Sequence, residues 1–224
     1  MKKILLYIFF IFFLLSSLFG NVLKKDWPLA QNYQKACQIL KQHGFVWQKN
    51  LSYHQINPQF AFAIVFPELM RYHSYTDFVE NKALNLFYVP YGFLKNKKET
   101  DFSIGFFQMK PSFAQTLENL AFQKRELQPF FLLFKPFLAI KDLKKQRQKR
   151  IKRLLNPHWQ GIYLACFIKA AFLIHPHLKE ENLEQQLIFL ATAYNSGLFH
   201  KKEVMLKKSL RKTYPYGPLN PQSL

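Results

Sequence analysis

The chain has 224 residues, 49% of them hydrophobic and 17% aromatic, with 25 phenylalanines. That is enough apolar material for one domain with a packed core, and it excludes an intrinsically disordered protein. Lysine and arginine number 32 against 13 acids, a formal net charge of +19, which favours anionic partners such as nucleic acid, acidic lipid or an acidic cell-wall polymer.

Met1 to Gly20 sets the compartment. Lys2 and Lys3 are a positive start, Ile4 to Leu15 is a continuous apolar run, and Ser16, Ser17 and Gly20 supply small residues near its end. This reads as a secretory signal peptide, with residues 21–224 as the exported domain in the periplasm or cell envelope. A cut after Gly20 leaves bulky Leu18 at the preceding specificity position, so an uncleaved membrane anchor stands as the alternative. Export makes nucleic acid an unexpected partner despite the charge. The two cysteines, Cys37 and Cys166, read as separate buried thiols or as a disulfide in an oxidising compartment, and nothing in their spacing suggests a metal site.

Helical periodicity begins near Pro28, with Ala30, Tyr33, Cys37, Ile39 and Leu40 on one face, and His43-Gly44 is expected to end it. Asn57-Pro58 has the form of a helix start. The helix it opens, Phe60 to about Tyr72, reads FAFAIVFPELM over residues 60–70: an apolar run with one carboxylate, Glu68. Pro67 is expected to kink it just before that residue. A carboxylic acid in such a setting is desolvated, so its pKa should rise and it can serve as a general acid near neutral pH.

Phe78 to Val89 reads as another helix and residues 89–92 as a turn; residues 95–98 form a solvated loop. Ser112 is expected to cap a helix reaching Leu120. Between Ala139 and Arg153 lie eight cations. The bland reading is a solvated helix face; the functional one is a patch that attracts an anionic polymer or envelope surface. Trp159 to Ile174 and Glu180 to Tyr194 read as apolar helices, the second with Leu183, Leu187, Phe189, Leu190 and Ala193 inside, and Gly197 is a natural helix stop. The tail from His200 is basic and its proline-containing end reads as loop. With no convincing strand, the expectation is one all-α domain.

Three stretches together resemble the lytic transglycosylases: Glu68 at the end of its apolar helix, the run Gly105-Phe106-Phe107-Gln108-Met109-Lys110-Pro111, and Ala193-Tyr194-Asn195-Ser196-Gly197. The resemblance spans about residues 57–197. It implies a goose-lysozyme-like helical fold and cleavage of the MurNAc–GlcNAc β-1,4 bond of peptidoglycan by a single Glu, first acid and then base, with the sugar's own C6 hydroxyl closing a 1,6-anhydro ring. No metal or cofactor is implied. Glu68 would be catalytic. Gln108 would line the sugar groove, and Tyr194 would set its hydroxyl near Glu68. Asn195, Ser103 and Gly105 would complete the glycan-binding set. The bland alternatives are a Gln108 that bonds its own backbone and a Tyr194 that is a core aromatic.

The pattern departs from the family in having Leu69 where a serine usually follows the Glu, and Lys110 where an apolar residue usually precedes the proline. Glu99 and Asp101 keep open a lysozyme-type hydrolase with a second carboxylate, and a non-catalytic peptidoglycan binder is the other alternative.

Overall fold

The computed structural model describes residues 30–93 and 101–209. The expected signal segment, the residue 95–98 loop, Glu99 and the proline-containing end of the tail lie outside them. The described residues are all-helical, with one isolated bridge between Ile104 and Met109 in place of any strand.

Helix α1, Ala30–Tyr53, is longer than its periodicity suggests and runs straight through His43-Gly44. Glycine weakens a helix but does not end it when the next turn is anchored elsewhere. Here Trp47 and Leu51 are fully buried, and the Trp47 indole donates to the Pro157 carbonyl at 2.8 Å. Helix α2, Pro58–Arg71, starts as its sequence predicts, with the Asn57 side chain accepting from the amides of Gln59 and Phe60. It continues through Pro67 to present Glu68 in its last turn.

Helix α3, Ser74–Ala83, starts earlier than expected and passes into a π-helical turn, Leu84–Tyr88, and a short helical turn, Val89–Tyr91, where a simple turn was expected. Helix α4, Pro111–Gln123, is capped from outside: its first turn begins at Pro111, and Asp101 accepts from the Ser112 amide at 2.9 Å and from its hydroxyl at 2.5 Å. Ser112 is therefore held by the cap rather than being it. Helix α5, Gln128–Leu138, has no counterpart in the sequence reading; Pro129 and Pro136 interrupt its pattern.

The basic stretch becomes α6, Leu143–Leu155, capped by Asp142. Helix α7, Pro157–Ile174, is apolar on every side and buried from Gln160 to Ile168, as befits a central helix. It packs against α1, α4 and α6. Helix α8, Leu183–Ser196, has an Asn182–Gln185 capping box and ends at Gly197, whose φ of 109° suits only glycine. Phe189, Leu190 and Ala193 face the core, but Leu183, expected inside, is exposed in the first turn, at the rim of a surface pocket it shares with Ile168 and Phe172 of α7. Lys202–Ser209 forms a last helix, α9, against α8. Cys37 and Cys166 are both free thiols; burial pushes both thiols up, Cys166 the further.

The basic helix owes its inner face to arginine. Arg150 and Arg153 are buried against Glu118 of α4, which is 0% exposed. Arg150 bonds the Glu118 carboxylate through Nε and Nη2, Arg153 bonds it through Nη2 at 2.6 Å, and the Tyr163 hydroxyl donates to it at 2.6 Å. Tyr88 accepts from Arg150 at 2.6 Å. Arg147 donates to the carbonyls of Val89 and Pro90. Three of the eight cations thus serve the fold.

Candidate functional site

The last turn of α2, the segment before α4 and the end of α8 surround one cavity of about 490 Å³. Glu68 stands at its inner wall and is 4% exposed. Residues drawn together from distant parts of the chain line it: Ser103 and Gln108 from one side, Tyr194 and Asn195 from the other. Lys110 and Asp101 lie at the same cavity.

The segment before α4 is a tight reversal. Ile104 and Met109 exchange backbone hydrogen bonds at 3.1 and 3.0 Å, with Gly105 at φ 74° and Gln108 at φ 49°. A left-handed conformation at a glutamine carries a cost, offset here by its own side chain: Gln108 Nε2 donates to the Gly105 carbonyl at 2.8 Å. Gln108 is thus both a local brace and a wall residue. Gly105 lies beside the cavity, not among the residues that line it. Its amide donates to the buried Asp77 carboxylate at 2.5 Å. A Cβ there would fall 2.4 Å from the Leu154 carbonyl oxygen and 2.1 Å from the Gln160 amide nitrogen, so only glycine fits.

No family model, curated protein or solved structure matches this chain. Its chemistry has to be read from the cavity itself.

Burial pushes the Glu68 carboxyl above its ordinary value, and Arg71 and Asn195 pull the other way without cancelling it. Arg71, one helical turn on from Glu68, is ion-paired to its Oε1, and also donates to the Asn195 side-chain oxygen at 3.0 Å. Asn195 thus bears on Glu68 through Arg71 as well as directly. Sequence reasoning passed over Arg71, although the i,i+3 spacing of Glu68 and Arg71 on a helix was a usable signal.

Tyr194 lines the same cavity as Glu68. Its hydroxyl donates to the Phe107 carbonyl at 2.7 Å, tying α8 to the Gly105–Met109 reversal. It stays within electrostatic reach of Glu68, since burial first and then the Glu68 charge raise its pKa. Its ring packs edge-on against Phe113 and Phe167, so it is also a core aromatic. Asp101 has both oxygens engaged by Ser112.

Asp77 was likewise invisible in the sequence. Burial raises its pKa, opposed by the Gly105 amide. Glu80, whose pKa is raised by burial and by the Asp77 charge, stands nearby, with Lys110 opposing. No cluster of three or more His, Cys, Asp or Glu among the described residues has the form of a metal site.

Proposed function

We propose that this protein is a peptidoglycan-cleaving enzyme of the lytic transglycosylase kind, with a lysozyme-like helical domain and Glu68 as its acid and base. The observation that carries the reading is the convergence on one cavity of Glu68, Gln108 and Tyr194-Asn195, which stand far apart in the chain, around a carboxyl whose pKa is raised by burial.

A raised pKa keeps Glu68 protonated at a pH where an exposed glutamate is ionised, which a general acid needs. With Arg71 on Oε1, Oε2 is left to carry the proton. Glu68 gives it to the glycosidic oxygen as the C1–O bond breaks, and an oxocarbenium-like sugar forms. The carboxylate then takes the proton of the same sugar's C6 hydroxyl as that oxygen bonds to C1. The acid is restored and no water is consumed. Arg71 holds the transient carboxylate in place between the two steps.

A hydrolase needs a second carboxylate to direct water. Asp101 is turned away from that work by its two bonds to Ser112, which favours the intramolecular route. Export to the envelope follows from the Met1–Gly20 pattern and belongs to the same proposal.

Digestion of purified sacculi by the protein and by Glu68→Gln, read by mass spectrometry, tests this. Anhydro-muropeptides are expected from the wild type, with the variant slower by on the order of 10²–10⁴-fold. Products heavier by one water would mean a hydrolase. No release by either protein, with binding retained, would mean a peptidoglycan binder.

A further inference from the structure

The segment Ser74–Tyr91 carries apolar side chains on both its buried and its exposed sides. The face it turns to the core carries Asp77, Leu84 and Tyr88, all buried. The face it turns to solvent carries Tyr75, Phe78, Val79, Leu86, Phe87 and Tyr91, which are 43–78% exposed. Tyr75, Phe78 and Val79 lie within one turn of each other in α3, and Leu86, Phe87 and Tyr91 follow after exposed Lys82, the π-helical turn supplying the extra residue that brings the second group back toward the face of the first. Six large apolar side chains exposed along one such segment mark an interaction surface.

The charges around it choose the partner. No exposed residue from Ser74 to Tyr91 is acidic: Asp77 is buried and Glu80 is half-buried. Lys82 lies within the stripe, its ammonium 5.3 Å from the Phe78 ring centre. Arg147, bonded to the Val89 and Pro90 carbonyls, fastens α6 to the end of the segment. With α6 come the exposed lysines Lys144, Lys145, Lys149 and Lys152. Aromatic and aliphatic side chains flanked by cations suit the headgroup boundary of an anionic bilayer: apolar groups enter the acyl edge, ring edges and ammonium groups stay with the headgroups, and the charge adds long-range attraction.

We propose that the Tyr75–Tyr91 face docks this protein flat onto an anionic lipid surface, independently of its N-terminal segment and of the glycan reading. The basic helix α6 alone is not the docking element. It supplies attraction, and the aromatic stripe supplies insertion.

The test uses the full chain with Phe78→Trp, and with Phe122→Trp, an exposed position off the stripe, as reference. Each is mixed with vesicles of phosphatidylglycerol and phosphatidylcholine, or of phosphatidylcholine alone, carrying brominated acyl chains. The emission added over the native tryptophans is followed. With anionic vesicles, the emission added by Phe78→Trp should shift to the blue and be quenched severalfold more than that added by Phe122→Trp. Adding Leu86→Glu, at a position with no core contact to lose, should abolish the difference while circular dichroism stays unchanged. Equal quenching at the two positions would mean tethering without docking, and would overturn the proposal. So would equal response to neutral vesicles, or no response to vesicles beside a clear one to soluble peptidoglycan fragments.

Discussion

Glu68 and Glu118 are both buried glutamates on helices, and the protein treats them in opposite ways. Burial would raise either pKa. At Glu118, Arg150, Arg153 and Tyr163 together outweigh burial and hold the carboxyl below its ordinary value. At Glu68 a single arginine and one asparagine fall short, and the carboxyl stays above it. One carboxylate is fully paired and closed from solvent; the other faces a cavity with part of its hydrogen-bonding capacity unspent. A saturated buried ion pair fixes a fold, whereas an under-paired acid at a cavity can exchange a proton.

The sharpest way to break the first half of the comparison is Glu118→Ala. It leaves two buried guanidiniums without their carboxylate, and chemical denaturation should show a loss of about 3–5 kcal/mol. A loss under about 1 kcal/mol would show that α4, α6 and α7 are held by apolar packing alone.

Arg71→Ala tests the second half. Removing the main cause that lowers the Glu68 pKa should raise it further, so the alkaline limb of the kcat/KM–pH profile should move to higher pH. The plateau should fall about ten- to a hundredfold, because a hydrogen bond to a charged group is worth about 1.5–3 kcal/mol. An unmoved limb would mean that Glu68 does not control the profile.

The smallest effect is on stability. A carboxyl raised on folding, as at Glu68, stabilises most below its ordinary value of 4.5 and loses that contribution as pH rises through its folded value. Glu118 has the opposite sign: its contribution is present above 4.5 and is lost as pH falls through its lowered value. Glu68→Gln should therefore match the wild type in Tm at acid pH and exceed it by a few degrees above the Glu68 transition. A less stable variant at neutral pH would show that the Arg71 ion pair outweighs burial.

Local signals carried much of the fold. Asn57-Pro58, the apolar run to Glu68, Gly197 as a stop and the all-helical class follow from caps, periodicity and backbone preference, which act within a few residues. Where the sequence misled, a distant partner had intervened. Gly44 does not end α1 because Trp47 is held by the Pro157 carbonyl. Ser112 does not cap α4 because Asp101 does. The eight cations looked like a solvated face, yet Arg150 and Arg153 turn inward to a glutamate more than 30 residues away.

The sequence by itself determined the all-helical class, the charge and the residues able to do acid–base chemistry. Only the tertiary structure decided which carboxylate is under-paired, because a pKa depends on burial and on partners that the chain order does not reveal. It also decided that Tyr194 spends its hydroxyl on the Phe107 carbonyl, that Asp77 anchors the Gly105 amide, and that an aromatic stripe faces outward. Each of these turns on which side of a helix meets the core, and that is set by what packs against it.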